Sequence, residues 1–158
     1  MVIYPRFDEI QTRPSRLISK GHAMRQISYR LDKEVDLGTW LGLYHAAGWN
    51  REWTADNAAV MVAHAHLIIT AWLGDEIVGT LTVLGDGLNY ATIDDVVVRP
   101  DQRGHGIGSH LVRLAKDRVG HLEPHLEAVP GVAGFYEKLG FVPNTGHTAM
   151  YLPESAPR

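Results

Sequence analysis

The stretch VVVRPDQRGHGIGSHL, residues 96–111, decides the fold. A run of β-branched residues typical of a strand ends at Pro100, which cannot donate to a sheet ladder, and the alternating glycines 104, 106 and 108 then lead into a helical pattern. The first N–H groups of a helix lack partners within it and lie at the positive end of its dipole. Because glycine lets a ligand approach the backbone closely, the stretch predicts a turn that binds phosphate.

The glycine spacing narrows the choice of phosphate ligand. The string G-x-x-x-x-G-K-[ST] of nucleotide-binding loops is absent. A dinucleotide fingerprint requires a third glycine where Leu111 stands. Taken alone, the turn is also explained by close packing of a helix on a sheet.

The residues before this stretch alternate between helical and strand patterns. Alternation at 27–31 predicts a short strand, and the periodicity of 35–47 and of 54–66 predicts two helices, the second capped by Thr54. Two β-rich runs at 66–73 and 76–84 are joined by Gly74-Asp75, which is typical of a hairpin. A third run at 89–98 completes a predicted antiparallel meander.

Shorter elements are predicted after the glycine turn. The helix runs from 106 to 119, a strand occupies 125–129, a short helix occupies 132–140, and further strand material lies in 141–152. We therefore expect an N-terminal extension at 1–25, one α+β domain at 26–153 and a C-terminal tail at 154–158.

Composition excludes several classes of function. The net charge is −3, which argues against nucleic-acid binding through bulk phosphate attraction. The chain has no cysteine, so thiolate metal sites and a cysteine nucleophile are excluded, and the spacing of its nine histidines predicts no metal site. No apolar run is long enough to span a bilayer and the first residues do not resemble a secretory signal, so we expect a cytoplasmic protein without a membrane partner.

Two motifs resemble those of the GNAT acyltransferase superfamily. Arg103–Gly108 is similar to the R/Q-x-x-G-x-G/A motif of that family and follows V-x-V-x-P, and the segment FYEKLGF at 135–141 resembles the family's penultimate helix and next strand. The predicted order of elements from Gln26 to Leu152 also resembles that fold. The resemblance implies an α+β fold in which helices flank a mixed, splayed central sheet in three layers.

The resemblance further implies where acetyl-coenzyme A is held. Its pantetheine arm would pair with the backbone of Val98, and the N–H of Val96 would face the thioester carbonyl. The pyrophosphate would lie on the backbone N–H groups of Arg103, Gly104, Gly106 and Gly108, and His105 and Ile107 are further cofactor-binding candidates in the turn. Candidates for the 3′-phosphate are Arg99, Arg103, Arg113 and Lys116, which a solvated basic helix face explains equally well. Val129 stands where many members carry an asparagine that contacts pantetheine.

Acyl transfer to an amine needs a proton acceptor and a proton donor, because an alkylamine with a pKa of about 10.4 is protonated at neutral pH. The resemblance assigns the donor to Tyr136, which a purely structural role also explains. For the proton acceptor we favour Asp94, which could also hold the ammonium group. Strand periodicity places Asp94 on the side of Thr92 and Val96, and it places Asp95 on the opposite face unless a bulge intervenes.

The acceptor is expected to be a primary amine on a small molecule. Trp49 and Trp53 lie in the loop that borders the acceptor in this fold, with Tyr90 and Asp95 as further candidates, and Tyr151 as a weaker one. Two alternatives stay open: a protein N-terminus or lysine as the acceptor, and a sensor that binds acyl-coenzyme A without catalysis. Dimers are common in the family, so a homodimer is also an expectation.

Overall fold

The computed structural model describes residues 26–31, 33–49 and 54–150, which form two compact units, one ending at Glu127 and the other beginning at Ala128. The first unit contains β1 (Ile27–Arg30), α1 (Leu37–Ala46), α2 (Ala55–His64), β2 (Leu67–Leu73), β3 (Glu76–Gly85), β4 (Ala91–Val98) and α3 (Ile107–Val119). Single 3₁₀ turns at Pro100–Gln102 and Gly120–Leu122 flank α3. The second unit contains α4 (Ala133–Glu137).

The four strands form one antiparallel sheet in the order β1-β2-β3-β4. The tight β2–β3 turn contains Gly74 at φ +64°, a conformation that glycine adopts without steric cost. Along β2 and β3 nearly every residue is buried, which explains why their sequences read as continuous apolar runs. The meander expected from residues 66–98 is thus confirmed.

Helices cover both faces of this sheet. On β3, the Thr80 hydroxyl accepts a hydrogen bond from Trp40 Nε1 of α1 at 3.0 Å. On the adjacent residue, Gly79, a Cβ would lie 3.0 Å from Ile107 and 3.3 Å from Leu111 of α3. Because neighbouring strand residues point to opposite faces, α1 and α3 lie on opposite sides of the sheet. Glycine at 79 is what lets α3 pack this closely.

Side-chain caps define where the first two helices begin. The Asp36 carboxylate accepts the N–H of Thr39 at 2.8 Å, and the Thr54 hydroxyl accepts the N–H of Asn57 at 3.2 Å. The predicted Thr54 cap is therefore confirmed. Helix α1 begins two residues later than the apolar pattern predicts, because Asp36 supplies the cap.

The late strands differ from the prediction. Segment 125–129 contributes one parallel bridge, between Thr92 and His125, and no ladder, and segment 141–150 contains no strand among the described residues. Pro124, Pro130 and Pro143 flank these segments and cannot donate to a ladder. The α+β class is confirmed, with the parallel component of the sheet reduced to this bridge. No helix in the described ranges is long and apolar enough to cross a membrane.

Candidate active site

Strand β4 is an edge strand for most of its length. Among the described residues, its outer side has strand pairing only at its start, where the N–H of Ile93 donates to His125 O at 2.9 Å and the N–H of His125 donates to Ala91 O at 3.2 Å. The Thr92 hydroxyl adds a bond to the same His125 carbonyl at 3.1 Å. Beyond Ile93, the described residues contribute no further strand partner on this side. The sheet therefore splays at this point.

The register of β4 determines which backbone groups face the unpaired side. The N–H of Arg99 donates to Val78 O of β3 at 2.9 Å, and Val98 is paired with Gly79. Because alternate residues of an antiparallel strand turn their polar groups away from the partner, Val96 and Val98 present N–H and C=O outward. These are the two residues for which the resemblance implies contacts with coenzyme A.

A β-bulge interrupts β4 directly before Val96. Thr82 pairs with Asp95 and Val83 pairs with Ile93, so Asp94 is an extra residue without a ladder partner of its own. Asp94 is exposed, whereas Asp95 is 4% exposed. The bulge shifts the alternation by one residue, so Thr92 and Val96 do not share a face as simple period two predicts, whereas the predicted difference between Asp94 and Asp95 agrees with their exposure. The catalytic role of Asp94 stays a prediction.

The glycine turn leaves its backbone accessible. Gly104 and Gly106 have φ values of +78° and +81°, and a Cβ on either would meet no atom within 4 Å. Gly106 is the N-cap of the 13-residue α3 and offers no side-chain cap to its first N–H groups. Free donors at a helix start, with glycines clearing the approach, match the requirements of a pyrophosphate.

Two of the basic side chains expected near the 3′-phosphate, Arg99 and Arg103, already have hydrogen-bond partners in the protein. The Arg99 guanidinium donates to Asp101 at 2.7 and 3.0 Å and to Glu76 at 2.9 Å. Its hydrogen bond to Asp101, followed by that to Glu76, raises the pKa of Arg99 above its ordinary value. Arg103 Nε donates to the carbonyl of Val98 at 3.1 Å. Arg113 and Lys116 are exposed on α3, and their contact with the 3′-phosphate stays a prediction.

His105 lies in the turn, with Nδ1 3.2 Å from the carbonyl of Gln102. This contact holds the imidazole against the preceding 3₁₀ turn. The contact of His105 with a phosphate stays a prediction. No group of three or more potential metal ligands occurs in the part of the chain that is described.

The predicted acceptor residues are only partly within the described ranges. Trp49 is half-buried and packs edge-to-face on Tyr44, with ring centroids 5.7 Å apart. Trp53 and Tyr151 lie outside the described residues. Tyr90 is half exposed, and its hydroxyl lies 2.9 Å from His125 Nε2.

Two side chains near the site were missed in the sequence. His125 lies 35 positions from Tyr90 along the chain and carries no motif of its own. Tyr44 fits the apolar periodicity of α1, but its hydroxyl donates to Asp95 Oδ2 at 3.2 Å. The sequence feature that could have indicated this contact is Asp95, since a carboxylate in a buried strand requires a hydrogen-bond donor.

The second unit contains the predicted proton donor. Tyr136 lies on α4 and is half-buried, with its ring 4.9 Å from that of Phe135 and 5.9 Å from that of Phe141. Its carbonyl accepts the N–H of Leu139 at 2.9 Å and that of Phe141 at 3.2 Å, which ends the helix. Val129, which stands in place of the family's asparagine, is 64% exposed. The role of Tyr136 as an acid stays a prediction.

Comparison with known proteins identifies the family. Residues 56–143 match the model of the acetyltransferase (GNAT) domain, which is more than half of the chain. The chain therefore belongs to the GNAT acetyltransferases, and the resemblance stated above is confirmed.

Several relatives support this assignment. The chain is similar to serotonin N-acetyltransferase 2, chloroplastic, from Oryza sativa subsp. japonica (31% identity over 80% of this chain) and to a GCN5-related N-acetyltransferase, chloroplastic, from Arabidopsis thaliana (32% over 80%). It spans 64% of the length of each of these curated relatives. A solved GNAT-family acetyltransferase from Streptococcus pneumoniae matches with a TM-score of 0.72 at 27% identity, over 82% of this chain and 99% of that one.

Proposed function

We propose that this protein transfers the acetyl group of acetyl-coenzyme A to the primary amine of a small molecule. The observation that carries the proposal is the outward-facing backbone of Val96 and Val98, followed without interruption by the glycine turn and the start of α3. This arrangement offers peptide groups for an extended amide-containing arm and free N–H donors for its diphosphate. Both requirements fit coenzyme A.

Each proposed catalytic group has a separate task. The N–H of Val96 donates to the oxyanion that forms when the amine attacks the thioester, a contribution worth a few kcal/mol in comparable sites. The exposed carboxylate of Asp94 accepts the proton of the ammonium, directly or through water. Collapse of the tetrahedral intermediate breaks the carbon–sulfur bond, and Tyr136 returns a proton to the departing thiolate. No covalent enzyme intermediate is needed, in agreement with the absence of cysteine.

Two observations guide the choice of the amine acceptor. The name of the rice relative directs the first assays to arylalkylamines, and Tyr90 and the half-buried Trp49 supply aromatic surface in the first unit. A cation beside an aromatic ring gains about 0.5–2 kcal/mol. These observations favour a small aromatic amine over a peptide.

A panel of amines tests the proposal. Purified protein is incubated with acetyl-coenzyme A and serotonin, phenethylamine, spermidine, a peptide with a free N-terminus or a lysine peptide, and released thiol is measured. We expect turnover with the small amines and little with the peptides. Turnover with peptides alone would establish the protein-acceptor alternative. Tight binding of acetyl-coenzyme A by calorimetry, without thiol release from any amine, would establish a sensor.

A further inference from the structure

Asp95 is a charged residue buried in the sheet beside the proposed reacting groups. It follows the bulge residue Asp94, precedes Val96, and is 4% exposed. Burying a carboxylate is costly unless hydrogen bonds compensate for lost hydration. Its Oδ2 accepts the hydroxyl of Tyr44 at 3.2 Å, across 51 positions of the sequence.

The Tyr44 hydroxyl is held in place by aromatic packing. Tyr44 is 2% exposed, and its ring makes edge-to-face contacts with Trp40 at 4.9 Å and with Trp49 at 5.7 Å. Trp40 is itself anchored to the Thr80 hydroxyl of β3 at 3.0 Å. Burial, and then the adjacent charge of Asp95, raise the pKa of Tyr44 far above its ordinary value. The hydroxyl therefore keeps its proton and remains a donor at all working pH values.

The bulge needs such an anchor because its extra residue has no ladder partner. A slip of one residue turns every following side chain and backbone group to the other side. In β4, that slip would bring the Asp95 carboxylate out of its contact with Tyr44 and turn the N–H of Val96 toward β3. A hydrogen bond made only in the bulged register favours that register over its alternative.

We infer that Tyr44 and Asp95 are a positioning pair, which fixes the bulge of β4 and thereby places the Asp94 carboxylate and the Val96 N–H for acetyl transfer. This inference rests on the proposed function. Asp95 acts through its neighbours and does not touch the amine. Trp49 connects the same pair to the loop between α1 and α2, since its N–H also donates to the carbonyl of Tyr44 at 3.0 Å.

Two variants remove the hydrogen bond and preserve shape. Tyr44→Phe keeps the ring between the two tryptophans, and Asp95→Asn keeps the volume of the carboxylate. With acetyl-coenzyme A and serotonin, or the panel amine turned over fastest, we expect kcat to fall about 10–100-fold, as misplacement of about 1 Å does. The dissociation constant for coenzyme A should change less than about twofold, because the turn and α3 are untouched. The double variant should be no slower than the slower single variant, as expected for residues that act as a unit.

Thr70→Val is the matched structural control. It removes another buried hydroxyl on the same face of the sheet, which lies on β2 and accepts from Trp72 Nε1 at 2.8 Å. We expect a lower melting temperature and wild-type kcat. If Tyr44→Phe and Asp95→Asn also keep wild-type kcat and lose only thermal stability, the pair is structural and the inference is wrong.

A second measurement does not depend on turnover. Amide hydrogen exchange at Asp94, Asp95 and Val96 should be faster in Tyr44→Phe than in Thr70→Val, because only the former loosens the bulge. Equal exchange in the two variants would overturn the inference even if the enzyme is active. An inactive wild-type protein that shows this exchange difference would overturn the proposed function and leave the positioning of the bulge in place.

Discussion

Gly106 combines a left-handed backbone with an unobstructed approach to α3. At φ +81°, any residue with a Cβ is strained by about 1–2 kcal/mol, although a Cβ would meet no atom within 4 Å. We predict that Gly106→Val weakens coenzyme A binding by at least about tenfold in calorimetry and lowers the melting temperature by a few degrees. Gly120→Ala, at the other end of α3 with φ −60° and open space, should bind like the wild type. Unchanged affinity in Gly106→Val would remove the turn from the site.

A substitution at Asp94 tests its role as the base without destabilising the core, because its side chain is exposed. If the carboxylate accepts the proton, Asp94→Asn should lower kcat/KM by about 10²–10⁴-fold with an unchanged melting temperature. If it only anchors the ammonium, KM for the amine should rise and kcat should stay nearly constant. Asp75→Asn, an exposed aspartate in the β2–β3 turn, is the control. Wild-type kinetics in Asp94→Asn would show that water or another group accepts the proton of the ammonium.

Tyr136→Phe keeps the ring contacts with Phe135 and Phe141 and removes only the hydroxyl. We predict that kcat falls about 10²–10⁴-fold while the dissociation constant of coenzyme A is nearly unchanged. Tyr29→Phe, on β1, is the matched control. A Tyr136→Phe enzyme with full turnover would leave the thiolate to be protonated by solvent.

At the scale of single residues, the sequence was informative where geometry is local. The glycines of the turn and the Thr54 cap depend on neighbours within a few positions, so their roles are legible in the sequence. The bulge at Asp94 was not, since a bulge without glycine leaves no local signature in the sequence. The contact between Tyr44 and Asp95 exists only after α1 has packed on β4.

At the scale of the elements, the loop of the β3–β4 hairpin donates several backbone hydrogen bonds to the carboxylate of Asp86. Asp86 Oδ1 accepts the N–H groups of Leu88, Asn89 and Tyr90 at 2.9, 2.8 and 2.9 Å. These bonds, first that from Asn89, lower the pKa of Asp86 from 3.8 to about 2. The loop that leads into Tyr90 and β4 is therefore held by an ionised side chain.

A pH prediction follows for this hairpin. Because the folded pKa lies below the unfolded value, the stabilisation is complete above about pH 4 and is lost as the pH falls toward about 2. Asp86→Ala should therefore melt below the wild type at neutral pH, and the difference should shrink between pH 4 and pH 2. Asp75→Ala, in the neighbouring turn, serves as the control in the same melting series. A difference that is constant down to pH 2 would contradict the role of the charge.

Element prediction failed where a strand lacked a partner. Residues 125–129 have the composition of a strand, yet only His125 pairs with β4. Strand propensity describes a fit to a pleated, half-buried surface, and it does not tell whether a neighbouring strand continues alongside. The splay after Ile93 is such a case, so the feature most relevant to cofactor binding was implied by the family resemblance and not by the composition of the segment.

At the scale of the whole molecule, binding of coenzyme A should raise the melting temperature. A ligand that binds only the folded state stabilises it by about 2.7 kcal/mol at a hundred times its dissociation constant. We predict that coenzyme A raises the melting temperature with concentration, and that the increase is much smaller in Gly106→Val. Dephospho-coenzyme A should have a smaller effect if Arg113 and Lys116 hold the 3′-phosphate. Identical shifts with both compounds would exclude that contact.

The outward-facing backbone of Val96 and Val98 also has a consequence for handling the protein. Peptide groups that face outward on a β-branched edge strand are a template for joining further chains, and natural proteins usually cover or interrupt such edges. If coenzyme A covers this edge as proposed, preparations stripped of coenzyme A should lose solubility on storage sooner than saturated ones. Light scattering over days, with and without coenzyme A, measures this difference, and added ligand then serves as a preservative.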